Sequence, residues 1–275
     1  MQTEDEKTLS FWEHLEELRW TIIRIILALV IIVGVIFTMK EFVFTRIVFA
    51  PLNSDFIFYE WLCSLGNLVN LPAICPGEFS LQLININLAG QFLAHIGASF
   101  SLALILIVPY ILFEIWRFVY PALYPNEKKH IGAIFSSASF LFYAGVATAY
   151  LIIFPLTVRF LGSYEISVLV PNQISVQSYL GTLYILIFSL GIMFEMPVLA
   201  FLLSKAGLIH KQLLKSVRSY ALVILMILAA LITPTTDPFT LIIVVLPLYL
   251  LYELSIVVCQ PQQPTEDDKD EATLL

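Results

Sequence analysis

The stretch Thr21-Ile-Ile-Arg-Ile-Ile-Leu-Ala-Leu-Val-Ile-Ile-Val-Gly-Val-Ile-Phe-Thr-Met39 decides the class of fold. It carries one charge, Arg24, near its start. A helix needs roughly 20 mostly apolar residues to cross about 30 Å of hydrocarbon, and this stretch qualifies. Working outward, four more candidates are Gln91–Phe113, Ile131–Val158, Val176–Ser204 with a single internal charge at Glu195, and Ser219–Thr233. A sixth, Pro238–Tyr252, completes the set. The last two runs would each rise only about 22 Å, less than the hydrocarbon thickness. Pro234, Asp237 and Pro238 point to a turn between them rather than one broken span. The expected architecture is all-α and polytopic, with six transmembrane helices and the last two short.

Composition agrees. Of 275 residues, 59% are hydrophobic and 13% charged, and the mean hydropathy is +0.90. A soluble domain is nearer 45–50% apolar and about 25% charged. This excludes a DNA-binding protein, a Rossmann-type enzyme and a disordered chain. The net charge of −7 is local to the ends. Residues 1–17 carry six acids and one base, residues 261–275 five acids and one base, and the body between is slightly basic. Lys and Arg near span ends set orientation. With the termini inside, the inner segments hold eleven of these residues and the outer ones three: Lys40, Arg46 and Arg159. The expected topology therefore has both termini cytoplasmic. The acidic start and long apolar run do not read as a cleavable signal peptide. Ser10-Phe-Trp-Glu13 reads as a capping box. Leu15, Leu18 and Ile22 recur at helical spacing, as in an amphipathic helix running into the first span. Residues 1–258 form one six-helix transmembrane domain with an outer loop over 40–90. Residues 259–275 form an acidic cytoplasmic tail, expected to be disordered.

Cys63 and Cys75 both fall in the outer loop, where a disulfide can form, or they are two unpaired thiols. Cys259 ends the last span. His14, His95, His130 and His210 are scattered without metal-ligand spacing. No nucleophile–base or nucleotide motif is present. The expectation is a chain with no enzymatic activity, no cofactor, no metal and no nucleic-acid partner.

Glu195, in Gly191-Ile-Met-Phe-Glu-Met-Pro197, is the deepest charge, ten residues before Lys205. Intramembrane carboxylates are rare and usually used. It reads as a polar recognition point or as a proton carrier, the latter implying a proton-coupled small-solute exporter. Glu114 and Glu253 lie near inner span ends, where either could reach the headgroups. At the inner boundary, Glu13, Glu16 and Glu17 beside Arg19, and Glu127 in the first inner loop, offer acids suited to gripping a guanidinium. Asp237 opens the last helix, where an acid suits the dipole.

These clusters, in this order, resemble the twin-arginine protein translocase subunit TatC family. The matching stretches are His14-Leu-Glu-Glu-Leu-Arg19, Phe49-Ala-Pro-Leu52, Val108-Pro-Tyr-Ile-Leu-Phe-Glu-Ile-Trp-Arg-Phe-Val-Tyr-Pro-Ala-Leu-Tyr124 with Glu127-Lys-Lys129, Phe194-Glu-Met-Pro197, and Leu231-Ile-Thr-Pro234 leading to Leu246-Pro-Leu-Tyr-Leu-Leu-Tyr-Glu253. The resemblance implies a multi-pass subunit of the bacterial cytoplasmic membrane. It would bind paired-arginine signal peptides and act with the single-span partners TatA and TatB. Folded proteins would move across the membrane on the proton-motive force, with several copies of the chain in the complex. It carries the signal-peptide role onto Glu17 and Glu127, with Arg19, Phe118, Pro121 and Tyr124 nearby. It carries a partner-helix role onto Glu195, with Pro51 and Asp237 as the outer positions. Thr21 and Leu241 depart from the family pattern, which has a basic residue and a Gln there, and the outer loop is longer than usual.

Overall fold

The structure is a computed structural model that describes residues 11–53, 55–68, 81–119, 131–164, 167, 172–233 and 238–260. Among these residues eleven α-helices follow in order: α1 Phe11–Thr38, α2 Lys40–Phe42, α3 Ile57–Leu68, α4 Gly90–Val119, α5 Ile131–Thr148, α6 Phe154–Ser163, α7 Val176–Met193, α8 Met196–Lys205, α9 Lys211–Ser216, α10 Arg218–Ile232 and α11 Pro238–Val258. A π-helical turn, Ala149–Ile153, joins α5 to α6. Two short strands, β1 Leu83–Ile84 and β2 Ile174–Ser175, pair in parallel. Among the described residues five stretches are long and apolar enough to cross a membrane: Trp12–Thr38, Gly90–Phe118, Ile134–Ser163, Val176–Lys205 and Pro238–Val258, while Arg218–Ile232 is a shorter apolar helix.

The last helix corrects the sequence expectation. It is 21 residues long, not 15, so α10 alone is short. Glu253 looked like its end. Instead Arg218 of α10 holds Glu253 at 2.6 Å and Tyr249 donates to its Oε1 at 3.1 Å, so the helix continues past the charge. The first span is likewise one continuous helix from Phe11.

Apolar side chains face outward over much of the bundle. Leu27, Val30 and Ile31 of α1 are all more than half exposed, as are Leu106 of α4 and Ile242 and Leu246 of α11. In water that surface would aggregate; in lipid it is the solvated surface. With lipid as apolar as leucine, helices must associate through close packing and polar contacts. Both are present. Gly145 of α5 and Gly191 of α7 make a close crossing. A Cβ on Gly145 would lie 2.7 Å from the Leu190 carbonyl, and one on Gly191 would lie 2.8 Å from the Phe142 ring. Only glycine permits this approach.

The end of the bundle opposite the start of α1 is an irregular cap. A π-helical turn, Val43–Val48, leads into a 3-10 turn, Ala50–Leu52. Such backbone leaves carbonyls that regular helix would satisfy, and hydrocarbon supplies no replacement donors. Tyrosines fill the need. Tyr150 donates to Ile47 at 2.6 Å and Tyr179 to Val48 at 2.7 Å, while the Tyr59 hydroxyl lies 3.3 Å from the carbonyls of both Pro51 and Pro155. The Arg159 guanidinium sits 5.6 Å from the Tyr59 ring centre, a cation–π contact. Burial pushes the Tyr59 phenol above its ordinary pKa, partly offset by Arg159, so it stays a donor.

Candidate functional site

The site starts from the spacing of α1. His14, Glu17, Thr21 and Arg24 recur at intervals of three and four, so they share one stripe of the helix. This polar stripe, not the apolar one, is turned to the protein. Thr21 is buried and His14, Glu17 and Arg24 are half-buried, while Leu15, Leu18 and Ile22 are exposed. The helix is amphipathic, as its spacing predicts, with its apolar face outward, because in a bilayer the apolar face belongs to lipid.

Helix α4 runs antiparallel against this stripe. His14 stacks on Phe118 with ring centroids 4.2 Å apart, and Phe37 stacks on His95 at 4.0 Å near the other ends of the two helices. From residue 14 to residue 37 the helix rises about 35 Å, the full depth of a bilayer core. Between these stacks, Arg24 places Nη2 2.9 Å and Nε 3.0 Å from Glu114 Oε2, and Nη2 also donates to Thr21 Oγ1 at 3.1 Å. The Glu114 side chain is only 3% exposed. Glu114 therefore does not reach for the headgroups, as its position near a span end suggested. A lone charge at a span centre costs about 2.5–3.5 kcal/mol on insertion scales, and the pairing offsets that cost. Thr21, where the family pattern has a base, instead accepts from Arg24.

Glu17 and Phe118 thus lie at the same end of the α1–α4 pair. Glu17 and Arg19 enter no ion pair among the described residues. The other expected members of this cluster, Pro121, Tyr124 and Glu127, lie outside the described residues, in the segment that follows Val119.

Glu195 lies at a break in the fourth span. Pro197 lacks the N–H that would bond the Met193 carbonyl, so α7 ends and α8 begins around a turn at Phe194 and Glu195. Glu195 is half-buried, and its Oε1 is buried with no hydrogen-bond partner among the described residues. Beside the break runs an apolar cleft of about 350 Å³, lined by Ile134, Ser137, Pro197, Phe201 and Leu254 among others. Pro51 is buried in the cap at the opposite end from Glu17, under Tyr59. Asp237 lies outside the described residues. Cys63 is disulfide-bonded and Cys259 is a free, buried thiol; Cys75 lies outside the described residues. The Arg24–Glu114 pair was missed in the sequence, because two residues 90 positions apart share no local pattern.

Comparison with known proteins decides the family. Residues 13–247 match the family described as "Sec-independent protein translocase protein (TatC)". The chain belongs to the TatC family. It is 35% identical over 256 residues to a TatC protein of Blattabacterium sp. subsp. Periplaneta americana, covering 92% of this chain and 96% of that one. A TatC protein of Deinococcus radiodurans is 33% identical, with coverage of 90% and 84%. Two crystal structures described as "Twin Arginine Translocase Receptor- TatC" superpose with TM-scores of 0.64 and 0.70. Each is 32% identical, over 90% of this chain and 97% or 100% of theirs. The chain is thus a membrane subunit of the Sec-independent protein translocase, a transport component and not an enzyme. A small-solute exporter working through Glu195 is not favoured by this membership.

Proposed function

We propose that this TatC protein is the receptor subunit for paired-arginine signal peptides, and that Glu17 and Glu127 hold the two guanidinium groups. The observation that carries the reading is the contrast between two carboxylates on the α1–α4 pair. Glu114 is already occupied by Arg24, whereas Glu17 has no basic partner among the described residues. Glu17 also lies at the end of α4 from which the segment bearing Glu127 continues. A carboxylate at a water–lipid boundary with no basic partner suits a bidentate guanidinium contact. The resemblance assigns the same residues.

In this reading the chain crosses the bacterial cytoplasmic membrane six times, α10 being a short fifth span and α11 the sixth, with both termini in the cytoplasm. Eleven of the fourteen Lys and Arg residues then fall on the inner side, in accord with the positive-inside rule. TatA- and TatB-like single-span helices would use the Glu195 carboxyl as an intramembrane hydrogen-bonding anchor, and several copies of the chain would assemble with them. Transport of folded cargo would draw on the proton-motive force.

The test is photo-crosslinking of a paired-arginine signal peptide to inverted membrane vesicles. Crosslinks to the start of α1 and to residues 120–130 are expected, and both Glu17→Ala and Glu127→Ala should lose them. Unchanged crosslinking in both variants overturns the assignment.

A further inference from the structure

Thr21 and Ile36 are the buried residues of α1 among the described side chains; Leu29, Ile32 and Val33 pack partly buried against the core, while Leu27, Val30 and Ile31 face outward. Apolar burial supplies no drive between helices in lipid, where close packing and polar contacts hold a helix pair together. A buried, directional ion pair does fix rotation and depth. Glu17 precedes Arg24 by seven residues, two turns along the same stripe, about 10 Å. We infer that Arg24 and Glu114 are positioning residues: their buried ion pair sets the rotation of α1 on α4 and thereby presents Glu17 at the end of α4. The peptide arm of this inference rests on the receptor reading above; the geometric arm does not. Neither residue touches the peptide. They act through the helix that carries Glu17.

The test uses the full chain in lipid nanodiscs with Cys259 replaced by Ser. In a His14→Cys, Phe118→Cys background, a short bis-maleimide should join the two helices rapidly. Arg24→Gln should slow this joining at least fivefold, and the exchanged pair Arg24→Glu with Glu114→Arg should restore it. Without the added cysteines, Arg24→Gln and Glu114→Gln should each weaken binding of a synthetic paired-arginine peptide at least tenfold, with the exchanged pair within threefold of the parent. Should the exchanged pair fail to accumulate, Arg24→Lys takes its place and should recover both readouts in large part. Crosslinking that is unchanged in Arg24→Gln overturns the inference, as does altered crosslinking with unaltered peptide binding. A parent chain that binds no paired-arginine peptide sinks the receptor reading instead, and the crosslinking arm still decides the geometry.

Discussion

His14 of α1 lies against Phe118 of α4 with the two rings 21° from parallel and their centroids 4.2 Å apart. The contact ties the start of the first span to the end of the second. Stacked rings contribute about 0.5–1.5 kcal/mol beyond burial. His14→Ala or Phe118→Ala should therefore weaken binding of a paired-arginine peptide roughly 2- to 13-fold, and Phe118→Tyr should spare it. Fluorescence anisotropy with a labelled peptide measures this.

The Gly145–Leu190 approach makes a stability prediction. Gly145→Ala forces a methyl group against the Leu190 carbonyl and should cost about 1–3 kcal/mol, read as a lower thermal midpoint in detergent. Gly132→Ala is the control. Nothing lies within 4 Å of a Cβ there, and alanine favours helix, so stability should hold or rise.

Glu195 should separate folding from assembly. Its buried Oε1 has no partner among the described residues, so an apolar replacement removes an unsatisfied group rather than a bond. Glu195→Leu should leave the isolated chain as stable or more stable, yet reduce its co-purification with TatA- and TatB-like helices. Glu195→Gln, which keeps hydrogen-bonding capacity, should retain most of the association. Equal co-purification of both variants with the parent would remove Glu195 from the partner contact.

Much of this molecule is written in local pattern, and the remainder is not. The first four spans follow from apolar run length, and the break at Glu195 follows from the missing N–H of Pro197. What escaped is cooperative between distant segments. The sequence ends the last helix before Glu253 because the charge's neutralising partner, Arg218, lies on α10. Leu15, Leu18 and Ile22 announce an amphipathic helix but not which way it faces, because hydrophobic periodicity does not say whether lipid or protein is the apolar phase. The tyrosines of the cap satisfy carbonyls of turns whose backbone no motif announces. At the candidate site, Glu17 and Phe118 were legible through the family resemblance, while the ion pair beneath them was not.

The disulfide of Cys63 makes a covalent prediction. With Cys259 free, we expect Cys75 to be its partner, closing a loop whose cross-link is worth about 3 kcal/mol in the chain-entropy model. Under denaturing, non-reducing conditions a maleimide should modify Cys259 alone. After reduction it should modify all three cysteines, and peptide mapping should recover one cross-linked peptide containing both loop positions. Three reactive thiols before reduction would contradict the pairing.

The central claim is that Glu17 and Glu127 read guanidinium groups, and a double-mutant cycle between chain and peptide tests it most directly. Binding constants are measured for the parent, Glu17→Gln and Glu127→Gln, each with a paired-arginine peptide and with its paired-lysine counterpart. A bidentate carboxylate contact predicts a coupling of at least about 1 kcal/mol: each substitution should weaken the arginine peptide several-fold more than the lysine peptide. Losses that are equal for both peptides, in both variants, would contradict it.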